Sequence, residues 1–296
     1  MSDHAVTSAA AAAGDPPPPR PSLGIVWIDG ELVAAEQARI SPFDHGLTVG
    51  DGVFETLKVL DEVPFAMRRH LVRLARSAAA LGLPAPSDDI VRRAVAQVVA
   101  ANELVDGRLR ITLTGGPGPL GPNRGNDGTT LVLAVSGLPS TPPHTDVRTV
   151  EWPRNERSAL VGSKTTSYAE NLVALAHALE RGASEAIFAN TIGNLCEGTG
   201  SNIFVGIGGR LVTPPLSAGP LAGITRELVL EVTDAVEADL PLSALFDADE
   251  AFLTSSTRDV QAIRAVDGRP LPLCPGPLTV AAAAAFDELA SSDVDP

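Results

Sequence analysis

The chain has 296 residues and a mass of 30.5 kDa, enough for one large or two ordinary domains with a sizeable core. Hydrophobic residues make up 44% of it but aromatic ones only 4%, so the core has to be built from Val, Leu, Ile and Ala. A formal net charge of −14 and a pI near 4.7 argue against nucleic acid or an anionic membrane as the main partner. An anionic ligand would have to be held by local Arg, Lys and backbone N–H groups against that field.

Residues 1–22 carry an alanine run and then Pro16 to Pro19, lack the basic start of a signal peptide, and are expected to form a disordered extension. From Ile25 the pattern becomes strand, turn, strand: Ile25 to Ile28, Asp29-Gly30, then Glu31 to Val33. Val53 to Leu60 reads as a strand. The spacing of Leu71, Leu74, Ala75, Ala78 and Leu81 predicts an amphipathic helix over 67–81, ended by Pro84 and Pro86. Asp88 and Asp89 open a second helix to about Asn102. Strands are expected at 109–114 and 130–135, around the Gly/Pro-rich loop 115–128.

Residues 138–145 contain Leu138-Pro139-Ser140-Thr141-Pro142-Pro143 and read as an interdomain linker. A small domain at 23–137 and a larger one at 146–292 follow. In the latter, a strand is expected near 148–152, and a helix over 168–181 with Gly182 as its C-cap signal. A hairpin turning at 190–193 comes next, then strands at 202–205 and 210–213, a helix opening at Gly223-Ile224-Thr225, and a final buried strand at 251–254. Strands come in hairpins as well as beside helices, which indicates an α+β fold in two domains and not a doubly wound sheet.

Only two lysines, Lys58 and Lys164, stand among 20 arginines. Codon bias explains why lysines are few; it sharpens the question of why two remain. Arginine keeps its proton in a protein, whereas a desolvated lysine can become a neutral amine, the form a nucleophile or base needs. Lys164 lies in Gly162-Ser163-Lys164-Thr165-Thr166-Ser167-Tyr168, after an extended stretch and before a helix, and Tyr168 is the one tyrosine of the chain. Glu197 sits between apolar strands and reads as a buried acid that needs a partner, although a turn-capping glutamate is the plainer alternative. Gly223-Ile224-Thr225 at a helix start offers backbone N–H groups and a hydroxyl to a phosphate. The hydroxyl cluster Thr254-Ser255-Ser256-Thr257 follows a buried strand. Cys196 and Cys274 have no metal or disulfide spacing and read as reduced thiols of a cytoplasmic protein; the five histidines form no HxxxH or HxH group, so no metal is expected. No apolar run approaches the roughly 20 residues of a spanning helix.

In this order and spacing, these segments resemble the fold-type IV enzymes that use pyridoxal phosphate (PLP): branched-chain and D-amino acid aminotransferases and 4-amino-4-deoxychorismate lyases. The resemblance runs from about Val26 to Leu289. It includes Asp44-His45-Gly46, Gly50-Asp51-Gly52-Val53-Phe54-Glu55-Thr56, His70-Leu71-Val72-Arg73-Leu74, the Lys164 segment, Glu197-Gly198, Asn202-Ile203-Phe204, Gly223-Ile224-Thr225 and Thr254-Ser255-Ser256. It implies Lys164 as Schiff-base lysine and proton-transfer base, Glu197 as partner of the pyridine nitrogen, and Arg73, Ile224, Thr225 and Ser256 as phosphate ligands. Tyr168 would contact the cofactor's phenolic oxygen or the lysine. It also implies a homodimer, in which the loop at 43–46 would reach the neighbouring subunit.

The strand Phe54-Glu55-Thr56-Leu57-Lys58-Val59 discriminates among members. Thr56 and Lys58 share one strand face and look more like the lyases, which carry Thr and then a basic residue. Lys58 and Arg110 would then hold the two carboxylates of aminodeoxychorismate, giving 4-aminobenzoate and pyruvate. Arg124, in the 115–128 loop, is a further residue within possible reach of the site. The alternative is an aminotransferase acting on branched-chain or D-amino acids, and more remotely an inactive binding protein on the same fold.

Overall fold

The computed structural model describes residues 24–296; the extension expected at 1–22 lies outside the described residues. The N-terminal half contains β1 (Ile25–Ile28), β2 (Glu31–Ala34), the one-turn helix α1 (His45–Thr48), β3 (Gly52–Leu60), β4 (Val63–Pro64), α2 (Met67–Ala80), α3 (Asp88–Ala101), β5 (Gly107–Thr114) and β6 (Thr130–Ser136). Its six strands form one antiparallel sheet in the order β2-β1-β6-β5-β3-β4. Val53, Leu57 and Val59 alternate along β3 and meet Leu71, Leu74 and Ala78 of α2 in the core. Alternation turns Phe54, Thr56 and Lys58 to the opposite face. Glu55 is the polar exception on the core side, with no exposed surface.

The C-terminal half contains β7 (His144–Thr149), α4 (Ala169–Leu179), β8 (Glu185–Ala189), β9 (Leu195–Gly198), β10 (Asn202–Ile207), β11 (Arg210–Thr213), α5 (Ile224–Val232), β12 (Val236–Glu237), β13 (Glu250–Ser255), β14 (Asp259–Val266), β15 (Arg269–Pro270) and α6 (Pro277–Ser292). These strands make a mixed sheet in the order β12-β11-β10-β13-β14-β7-β8-β9, with β15 on β14. The two sheets are joined by apolar contact as well as by the chain: Phe65, just before α2, packs edge-on against Phe286 of α6 at 5.9 Å between ring centres.

Two expectations needed correction. The first strand of the second half begins at His144, inside the stretch read as linker, because it gains parallel partners in β14 and β8 that only the fold supplies. The strand at 251–254 is not the last: β14 and α6 follow it. α6 carries an Ala281–Ala285 run with a weak apolar face, and its start is capped from afar. Glu250, at the head of β13, accepts the backbone N–H groups of Leu278 and Thr279 at 3.1 and 2.7 Å.

Candidate active site

A cavity of about 580 Å3 opens between the two sheets. Phe54, Thr56, Arg73 and Arg110 line it from the N-terminal half. Lys164, Tyr168, Glu197, Ile224, Thr225, Thr254 and Ser256 line it from the C-terminal half.

Lys164 is held by its own backbone. The Phe54 N–H donates to the Lys164 carbonyl at 2.9 Å, the Thr166 N–H to the Gly52 carbonyl at 2.8 Å, and the Lys164 N–H to Ser77 Oγ of α2 at 3.1 Å. The segment therefore runs along the edge of β3 as a short extra strand, and the side chain projects into the cleft. Nζ lies 4.5 Å from the Phe54 ring centre. Burial, reinforced by the charge of Arg73, lowers this amine from 10.5 to about 8. A sizeable neutral fraction is thus present near physiological pH. Tyr168 stacks edge-on against Phe54 at 5.2 Å, and burial raises its phenol to about 12, so it remains a neutral hydroxyl.

Glu197 stands at the end of β9. Its Oε2 accepts the Leu221 N–H at 2.9 Å and its Oε1 lies 3.2 Å from Arg154 Nε. Burial raises this carboxyl, against Arg154 and the Leu221 amide, which favour its charged form. Arg154 is itself spread over the Phe188 ring, 4.3 Å from its centre, and donates to Asn171 at 3.1 Å. A carboxylate in this setting gains from a cationic N–H partner on its cavity side. The turn after Glu197 is fixed by buried Glu185, which accepts the Thr199 N–H at 3.0 Å, the Thr199 hydroxyl, and the Ser201 hydroxyl at 3.0 Å.

The other end of the cavity is built for an anion. α5 begins after Gly223 with no side-chain cap, so the first-turn N–H groups at Ile224 and Thr225 are left for a ligand. A Cβ at Gly223 would collide with Asn202 Oδ1, which explains glycine at that place. Thr254 Oγ1 is buried and has no partner. Arg73 reaches the same end from α2, and its guanidinium is oriented by Glu55 through Nε at 2.8 Å and Nη2 at 2.7 Å, and by the Ala222 carbonyl at 2.8 Å. Burial alone would raise Glu55, but Arg73 and His70 outweigh it and hold the carboxyl at about 2.

Of the residues singled out in the sequence, Lys164, Arg73, Tyr168, Glu197, Ile224, Thr225, Ser256, Thr56 and Arg110 come together around this one cavity. Lys58 does not. It shares the strand face of Phe54 and Thr56, but its Nζ lies 2.5 Å from Asp259 Oδ2 and outside the cavity wall. Arg124 is likewise elsewhere, clamped on Asp51 at 2.5 and 2.6 Å. Sequence reading missed Arg154, which lies in the irregular stretch Trp152-Pro153-Arg154-Asn155 without periodicity to mark it. It also missed the role of Glu55, whose one signal was a charge in phase with Val53 and Leu57.

The chain belongs to the amino-transferase class IV family, whose model matches residues 52–266. A Methanocaldococcus jannaschii protein provisionally assigned as a branched-chain-amino-acid aminotransferase is 32% identical over 256 residues, covering 82% of this chain and 88% of its own. The bifunctional aminodeoxychorismate lyase / D-amino acid transaminase of Mycobacterium tuberculosis is 31% identical over 283 residues, covering 85% and 94%. Among solved structures, the Escherichia coli branched-chain amino acid aminotransferase superposes with a TM-score of 0.85 at 28% identity over 90% of this chain and 94% of that one. An M. tuberculosis aminotransferase in its PLP-bound form gives 0.80 at 29% over 91% and 99%. The fold is therefore that of the fold-type IV enzymes, and PLP is the cofactor of this class.

The residues present fit that group. An uncapped helix start and an unpartnered buried hydroxyl would suit a phosphate, a buried carboxylate a ring nitrogen, and a deprotonatable lysine an aldehyde. Among the described residues no group of three or more His, Cys, Asp or Glu could hold a metal ion, and no helix is long and apolar enough to cross a membrane.

Proposed function

We propose that this protein is a PLP-dependent aminotransferase that exchanges an amino group between an amino acid and a 2-oxo acid, with Arg110 receiving the substrate carboxylate. The observation that carries this choice is the charge inventory of the cavity. Arg73 is occupied by Glu55, and Arg154 by Glu197 and Glu170, while Lys58 is withdrawn onto Asp259. Besides Lys164, Arg110 is the lining cation without a carboxylate partner among the described residues. It lies 3.7 Å above the Phe54 ring, directly across the β3–β5 ladder from Thr56. One free cation suits the single α-carboxylate common to amino and 2-oxo acids. The pair of cations expected for aminodeoxychorismate is reduced to one.

PLP supplies an aldehyde that condenses with amines and a ring that takes up the electron pair released at the substrate Cα. Lys164 Nζ, easily deprotonated, takes the proton from Cα. Glu197, placed by the Leu221 N–H and Arg154, would pair with the ring nitrogen. Arg73, Ile224, Thr225, Ser256 and Thr254 bind the phosphate. We expect a homodimer in the cytoplasm, with Phe43, which is half exposed, on the neighbour-facing loop.

The similarity to the mycobacterial protein, whose name carries a lyase activity, keeps aminodeoxychorismate as the second reading. The test is a half-reaction. Holoenzyme mixed with single amino acids, without any 2-oxo acid, should lose its PLP absorbance band and regain it on addition of pyruvate or 2-oxoglutarate. Steady release of pyruvate from aminodeoxychorismate, with no response to any amino acid, would decide for the lyase.

A further inference from the structure

Lys58 is one of two lysines, is almost fully buried, and has no part in the cavity wall. Its partner Asp259 is the first residue of β14 and closes the hairpin loop between β13 and β14 as the register partner of Ser255. That hairpin encloses Ser256, Thr257 and Arg258; Ser256 and Thr257, with Thr254 and Ser255 before them, are the hydroxyl cluster of the cavity. Asp259 has φ +53°, a left-handed conformation that costs a non-glycine residue on the order of 1–3 kcal/mol and persists where surroundings impose it. Its second oxygen, Oδ1, is buried without a partner. The one strong bond this carboxylate makes is therefore to a lysine of the other sheet, 201 residues away in sequence.

We propose that Lys58 is a positioning residue: through Asp259 it anchors the 255–258 hairpin to β3 and so sets the hydroxyl cluster against the cofactor phosphate. The same strand carries Phe54 and Thr56 into the cavity and receives the backbone of Lys164. One rigid strand therefore fixes the reactive amine, the aromatic wall and, by this ion pair, the phosphate end of the site. The contact acts on cofactor affinity before it acts on substrate. It rests on the PLP site and not on the choice between transamination and lysis.

The experiment titrates PLP into cofactor-free protein and reads the dissociation constant from absorbance, alongside thermal unfolding of the same samples. Lys58→Met and Asp259→Asn should each raise that constant about tenfold or more, equal to about 1.4 kcal/mol. The double variant should be no weaker than the worse single one, since both remove the same link. Lys58→Arg should restore most of the affinity. Unchanged PLP affinity with a lowered melting temperature would overturn the proposal in favour of a bond that serves stability alone. A raised amino acid KM in Lys58→Met, with PLP affinity and Asp259→Asn both normal, would overturn it in favour of substrate contact. Should the Met and Asn variants not fold, Lys58→Gln, which keeps a polar donor and removes the charge, carries the same readout; unaltered PLP affinity there contradicts the anchor.

Discussion

Replacing Lys164 by Met should stabilise the cofactor-free protein at neutral pH. Met keeps most of the apolar stem against Phe54 and removes the amine. The drop of the amine from 10.5 in the unfolded chain to about 8 in the folded one corresponds to roughly 3 kcal/mol of stability forgone when the lysine is protonated. Nζ borders the cavity, and solvent there screens part of this, so the expected gain at pH 7 is about 2–3 kcal/mol. For a chain of this size that is roughly 5–10 °C in melting temperature. The sign follows from proton counts. Below pH 8 both states hold the proton and the cost is present in full. Between pH 8 and 10.5 the unfolded lysine is protonated and the folded one is not, so wild-type stability recovers as pH rises. The assay is thermal unfolding of wild type and variant, stripped of PLP, from pH 6.5 to 10.5. Taking the difference cancels the other titrating groups. A variant that is less stable at pH 7, or a difference that does not shrink toward pH 10.5, would refute the desolvated lysine.

Glu55→Gln should cost about 3–5 kcal/mol, because it leaves Arg73 buried without its counter-charge; denaturant unfolding measures it. Since Glu55 is held at about 2, the stability it lends in wild type is present above its ordinary carboxyl value of 4.5 and is lost as pH falls from there toward 2. Thr254→Val should leave the cofactor-free protein as stable as wild type, its hydroxyl having no partner to lose, while weakening PLP binding about tenfold in a titration. Arg110→Leu should lower kcat/KM for the amino donor by about 10²-fold, the loss of one charge-assisted contact, with an unchanged melting temperature. An effect below threefold would remove Arg110 from substrate binding.

The parts of the fold written in local pattern were legible. β3 and β5 read as strands, while α2 announced itself through helical periodicity, α3 through the acidic pair that opens it, the β8–β9 hairpin through its turn and α5 through its opening Gly-Ile-Thr. β14 and α6 did not. β14 interrupts its apolar pattern with Gln261 and Arg264, which reach the distant Pro142 carbonyl and Asp146, and α6 is started by a carboxylate 28 residues upstream. The site showed the same division. Lys164 and Glu197 were visible because a scarce lysine and an acid between apolar strands are odd wherever they fold. The strand face of Lys58 was equally clear, but a face does not reveal how far along it a cavity extends. Asp259, which claims Lys58, lies 201 residues away in sequence, and no spacing rule connects them. Arg154 was hidden for the related reason that an arginine in an irregular stretch carries no phase.

The identity of the amine that holds the cofactor is the central question. Reducing the PLP-loaded protein with borohydride fixes the cofactor to the lysine that carries it, and peptide mass spectrometry then reads the position. With two lysines in the chain there are two possible peptides. The pyridoxyl group is expected on the peptide containing Lys164, with Lys58 unmodified; a label on Lys58, or a protein that takes up no PLP at all, would refute the assignment.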